Sequence, residues 1–146
     1  MVTLKLRWQR LVGDENRTCP RCSGTEKELD KAYQKLKEAL SPLGIDVILD
    51  KRELSANEFK ANPLASNQIW IGDKTLEEWL SAKTGKSKCC DVCGDEECRT
   101  IEAGNNTYET IPALLIIKAG LIAASEIVPV EKPLRFKIQN LKFKGK

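Results

Sequence analysis

The chain has 146 residues, of which 41% are hydrophobic and 31% charged, which suits one domain of common size and excludes a disordered polymer. Its 24 basic and 21 acidic residues leave a net charge of +3, too small to imply a nucleic-acid partner, and no apolar run reaches the ~20 residues of a membrane span. The N-terminus lacks the apolar core of a signal peptide, which predicts a cytoplasmic protein, and in that compartment six cysteines without a single histidine point to redox or metal chemistry on sulfur and carboxylate.

Leu4, Leu6 and Trp8 alternate with Lys5 and Arg7, the period-two pattern of a half-buried strand, and Gly13-Asp14-Glu15-Asn16 ends it. Thr18-Cys19-Pro20-Arg21-Cys22 follows. From Thr25 the pattern turns helical, with Leu29, Ala32, Tyr33, Leu36, Ala39, Leu40 and Leu43 on one stripe. Thr25 and Glu28 match a capping box, and Gly44 is the predicted stop. Ile45, Val47 and Leu49 predict a second strand, so that strand, helix and strand make a parallel unit.

Ser55 and Glu58 form a second capping-box pattern, opening a short helix around Phe59 that Asn62-Pro63 ends. Ile69-Trp70-Ile71 reads as a buried strand, Gly72-Asp73 as a tight turn, and Thr75 with Glu78 as a third capping box. Trp8, Trp70 and Trp79 are expected in the core. Lys83 to Lys88 is polar and breaks the pattern. Cys89, Cys90, Cys93 and Cys98 then fall in an acidic segment with little apolar surface; a covalent or coordinated link is expected to hold it. The apolar run Ala113 to Ala124 predicts a buried helix with Pro112 in its first turn. The tail after Pro133 alternates apolar and basic residues like an edge strand guarded by lysines.

Two thiols separated by two residues can close a disulfide or grip a metal. A C-x-x-C between a strand and an amphipathic helix favours redox work: Cys19 as attacking thiolate, aided by Arg17 and Arg21, and Cys22 as resolving thiol. That reading needs no cofactor and implies a redox partner protein. Cys-Pro-Arg-Cys-Ser-Gly and Cys-Asp-Val-Cys-Gly also look like zinc knuckles, which would place zinc or another thiophilic metal on Cys19, Cys22, Cys90 and Cys93. A third reading puts a separate metal on Cys89 or Cys90 with Cys93 and Cys98.

The series Thr18-Cys19-Pro20-Arg21-Cys22, Ser66 to Gly72, Cys89-Cys90-x-x-Cys93, Cys98-Arg99-Thr100, Gly104 and Tyr108 to Pro112 resembles an uncharacterised prokaryotic family grouped with thioredoxin-like proteins as a domain of unknown function. The resemblance reaches about Ala124. It implies an α/β fold, a small mixed sheet flanked by helices with a cysteine-rich insertion at about 86–106 before the last helix. The thioredoxin-like domain would span 1–130, with 131–146 as a basic tail. Thr110 to Gly120 is also similar to the thioredoxin segment in which a cis-proline precedes a central strand, although Asn67 stands in the position where glutaredoxin-like chains carry that proline.

Overall fold

The first strand, β1 (Val2–Leu11), is the spine of the molecule. The computed structural model describes residues 2–13, 19–88 and 93–128; Arg17, Thr18, Cys89, Cys90 and the basic tail lie outside them. β1 buries Leu4, Leu6 and Trp8 on one face, as the alternation predicts. It pairs in parallel with β2 (Ile45–Leu54) over its whole length, from Val2 opposite Ile45 to Leu11 opposite Leu54. On its other edge it runs antiparallel to β3 (Gln68–Ile71), and β4 (Lys74–Thr75) closes a hairpin through Gly72, whose φ of 63° suits a residue without a Cβ. The mixed four-stranded sheet has the order β2-β1-β3-β4.

Helix α1 (Pro20–Leu40) crosses from β1 to β2 and lays Leu29, Ala32, Leu36 and Leu40 on the sheet. Ala39 and Leu43, placed on the same stripe by spacing, are exposed; the chain tightens into a 3-10 turn at Ser41–Leu43 before Gly44 stops it in the left-handed region. Helix α4 (Ala113–Ile127) is helical as predicted and packs on α1. Pro112 stands at its N-cap, one residue earlier than expected. A Cβ on Gly120 would come within 2.6 Å of Leu36, so glycine permits the close approach of these two helices. Among the described residues no helix is long and apolar enough to cross a membrane.

Ser55 and Thr75 make the capping boxes that their sequences predict, at the starts of α2 (Ala56–Ala61) and α3 (Leu76–Leu80). Thr25 does not. Helix α1 begins six residues earlier, with Cys19 at the N-cap and Pro20 in its first turn, and Thr25 lies fully buried inside it. Its hydroxyl accepts the Ile111 N–H at 3.0 Å, and Glu28 accepts the Ala113 N–H at 3.0 Å. The pair that looked like a cap for its own helix instead satisfies amides at the entry to α4.

Lys83 to Lys88, read as a break, is strand β5, paired antiparallel with β6 (Glu97–Ala103), which pairs in turn with β7 (Asn106–Tyr108). The cysteine-rich segment is thus built on a second sheet of three strands. Trp8 is wholly buried and Trp79 packs against the core, but Trp70 points to the opposite face from Ile69 and Ile71 and is only half-buried.

The hydrogen bond from Ala113 holds the Glu28 carboxyl below its ordinary range, with Lys31 adding to the effect. A carboxylate with a lowered folded-state pKa contributes stability above its unfolded pKa of about 4.3 and loses it as pH falls further. Glu28→Ala is expected to cost about 1 kcal/mol at pH 7, the usual worth of a helix-cap acceptor, and clearly less at pH 3. Urea denaturation of both proteins at the two pH values measures this, and an equal cost at both would contradict it.

Candidate thiol site

Cys19 and Cys22 stand at the junction of two apolar clusters. Cys22, one turn into α1, belongs to the main core with Trp8, Leu29 and Ile69. Cys19 packs instead in a smaller cluster with Leu11, Phe59, Cys93 and Cys98. The helix begins here because Pro20 has a φ already suited to the first turn, and the Cys19 carbonyl accepts the Ser23 N–H at 2.8 Å. All four described cysteines are buried: Cys19 and Cys22 are 1% exposed, Cys93 4% and Cys98 0%. Cys19, expected as the attacking thiolate, is as buried as Cys22, its expected resolving partner.

The thiols are electrostatically linked. The Cys22 thiol is pushed far above its ordinary range, first by its hydrogen bond with Cys19, then by burial, with charge on Cys19 and Cys98 adding to the shift. Ser66, whose Oγ is 3.7 Å from the Cys22 sulfur, opposes this. At neutral pH the Cys22 thiol is therefore held protonated. Ser66 also accepts the Leu11 N–H at 3.0 Å. The next residue, Asn67, has a φ of 62°, accepts the Trp8 indole N–H at 3.1 Å, and donates to the Glu109 carbonyl at 3.4 Å. This buried polar bracket fixes the backbone beside Cys22.

Arg21, inside the C-x-x-C, is 6% exposed. Its Nη1 donates to the carbonyls of Ser87, Cys98 and Arg99 at 3.2–3.3 Å, and its Nη2 to the Ser87 hydroxyl at 3.0 Å and the Lys88 carbonyl at 3.1 Å. Glu109 lies 3.3 Å from Nη2. The sequence suggested that Arg21 would stabilise a thiolate on Cys19; its donors go to the second sheet instead. Arg99, beside Cys98, donates to the Leu64 carbonyl at 2.6 Å and pairs with buried Glu77. Burial pulls Arg99 below its ordinary value, and the Glu77 carboxylate opposes that pull.

The structure brings Cys93 and Cys98 of the second cysteine segment to Cys19, which makes them neighbours across more than seventy residues of chain. Among the described residues no group of three or more cysteine, aspartate or glutamate side chains is arranged to hold a metal ion, and Cys89 and Cys90 lie outside those residues. Sequence reasoning missed the parts played by Ser66 and Glu109, present only as members of longer motifs, and by Asn67, singled out only as standing where a related fold carries a proline.

A family model described as a domain of unknown function (DUF2703) matches residues 4–120, a span that contains both cysteine segments. An uncharacterized protein of Archaeoglobus fulgidus is 46% identical over 113 residues, covering 77% of this chain and 82% of that relative. No solved structure matches the chain.

Replacing Arg21 by alanine would strand several buried carbonyls at once. We expect Arg21→Ala to destabilise the protein by about 3 kcal/mol or more, since buried polar groups left unpaired cost ~1–3 kcal/mol each. Arg21→Lys should recover only part of that, because an ammonium lacks the planar fork. Urea unfolding gives the values, and a loss under about 0.5 kcal/mol, the range of ordinary surface substitutions, would show that the guanidinium is dispensable.

Proposed function

The chain belongs to the DUF2703 family, and from that premise we propose that it is a thioredoxin-like thiol-disulfide oxidoreductase in which Cys19 attacks and Cys22 resolves. The observation that carries this reading is the hydrogen-bonded pair at the start of α1, with Cys22 held protonated chiefly by its bond to Cys19. A helix N-terminus favours negative charge on the residue that caps it, and a protonated neighbour one turn later supplies the second thiol when the first becomes part of a mixed disulfide. The thioredoxin-like part of the reading is supported by a C-x-x-C at the head of the helix that joins parallel β1 and β2, beside an antiparallel β3-β4 hairpin.

A second reading is favoured by one observation, the packing of Cys93 and Cys98 against Cys19. Cysteines from both segments in one place suit a thiophilic ion such as zinc, held by Cys19, Cys22, Cys93 and either Cys90 or Cys98. The described sulfurs are not yet gathered around one point, so binding would have to draw them together. Thiolate-bound metal would hold the protein together without catalysis.

Equilibrating the reduced protein across a series of glutathione redox buffers and trapping its thiols tests the first reading. The expected result is a single reversible two-electron transition, mapped by mass spectrometry to a Cys19-Cys22 disulfide and abolished in Cys19→Ser. Elemental analysis of protein purified under reducing conditions tests the second. Stoichiometric zinc that is lost in Cys19→Ser, with no Cys19-Cys22 disulfide at any potential, would replace exchange by metal binding.

A further inference from the structure

We infer that the thiol meeting the external substrate is Cys93, and that the cavity it lines binds a low-molecular-weight disulfide; this rests on the exchange chemistry proposed above for Cys19 and Cys22. Cys19 is sealed at 1% exposure, so a protein disulfide cannot reach its sulfur along the line that exchange requires. Cys93 is different. Together with Leu11, Phe59, Lys60, Asp95 and Glu96 it borders an open cavity of about 450 Å³, within the size range of small-molecule sites.

Leu11, Phe59 and Cys93 belong both to this cavity and to the cluster that packs Cys19 and Cys98. Cys93 therefore stands between the space open to a ligand and the buried thiols. The lining also suggests the ligand's chemistry. Leu11 and Phe59 offer an apolar bed for a disulfide and its methylenes, while Lys60, Asp95 and Glu96 offer charges of both signs. A disulfide whose ends carry both ammonium and carboxylate groups, such as cystine, fits this combination; a folded protein does not enter a space of that size.

The exchange proceeds in three displacements. The Cys93 thiolate attacks one sulfur of the substrate R-S-S-R, breaking its S-S bond, forming a Cys93-S-S-R mixed disulfide and releasing RS⁻. The Cys19 thiolate then attacks the Cys93 sulfur, forming a Cys19-Cys93 disulfide and expelling the second RS⁻. Cys22 loses its proton and attacks Cys19, closing Cys19-Cys22 and returning Cys93 as a thiolate. The net change is the oxidation of Cys19 and Cys22 by two electrons and the reduction of one external disulfide to two thiols, which take up the two protons that the protein dithiol gives up.

The test mixes the reduced full-length chain with cystine without oxygen, quenches with acid at intervals, and maps the adducts by mass spectrometry. The first adduct is expected on Cys93, followed by the Cys19-Cys22 disulfide. Cys93→Ser should slow formation of that disulfide at least about tenfold, since exchange rates follow access to the attacking thiol. Ala56 also borders the cavity, and Ala56→Trp, which narrows it without replacing a cysteine, should slow the reaction similarly. Both variants should reach the wild-type extent of oxidation after long equilibration. A first adduct on Cys19, Cys89 or Cys90, or wild-type rates in both variants, would overturn the assignment of Cys93 while leaving exchange at Cys19 and Cys22 intact. No Cys19-Cys22 disulfide in the wild-type protein after prolonged exposure to excess cystine would instead refute the exchange reading itself, and the entry thiol with it.

Discussion

The arrangement of thiols depends on one buried guanidinium. Arg21 reaches from the first turn of α1 to carbonyls at the end of β5 and the start of β6, and so joins the helix that carries Cys19 and Cys22 to the strand that carries Cys98. A guanidinium suits this place because its donors fan out in a rigid plane and keep their charge when buried. Desolvating it is costly, and the carbonyl dipoles with one carboxylate, Glu109, are what offset that cost. Its Nε remains without a described partner, so the compensation is incomplete. An arginine held this way defines one relative placement of the two sheets.

The second sheet has a matching anchor. Arg99, next to Cys98, faces the other way and ties β6 to the turn at Leu64 and to Glu77 of α3, while Thr84 on β5 bonds to both members of the pair. Each cysteine segment thus carries an arginine beside a thiol, and each arginine reaches across to a different element. Breaking either would leave an unpaired ion in the interior, which is far more damaging than never having had the pair. The lysine-rich edge strand β5 owes its place to this network: it has no apolar stripe of its own, yet its pairing with β6 and the donors of Arg21 satisfy its backbone.

Much of the first sheet was legible because its signals are local. The alternation of Leu4, Leu6 and Trp8, the glycine after α1, and the capping boxes at Ser55 and Thr75 each involve residues within a few positions of one another, and the structure uses them as the pattern implies. Thr25 and Glu28 show how the same pattern can mislead. Their spacing meets the requirement of a capping box, but Pro20 can start the helix earlier, and the Ile111 and Ala113 amides need acceptors that no nearby residue supplies. A sequence motif states which hydrogen bonds are available; which amide takes them is decided by the tertiary fold. Lys83 to Lys88 failed for a related reason, since an edge strand made of lysine, threonine, glycine and serine is specified by its partner and carries no periodicity to read. Both C-x-x-C segments were visible, but the packing of Cys19 against Cys93 and Cys98 depends on the second sheet and could not be read from spacing.

The choice of cysteine at the N-cap of α1 has a consequence for folding as well as for chemistry. Serine, threonine, aspartate or asparagine at that position would supply an oxygen to the first-turn amides, worth about 1 kcal/mol. Cys19 gives up that oxygen, and Pro20 and the anchoring of Arg21 help to define the helix start in its place. A sulfur at the cap interacts with the helix according to its charge, since the positive end of the dipole attracts a thiolate and has little hold on a neutral disulfide. In the proposed exchange the same asymmetry would favour the reduced, ionised state, and a helix that favours the reduced dithiol makes the corresponding disulfide more oxidising. Burial in general acts against an ion, so two opposed features of the fold meet at Cys19: a helix start, whose dipole draws negative charge, and the cover of Leu11, Phe59 and Cys93.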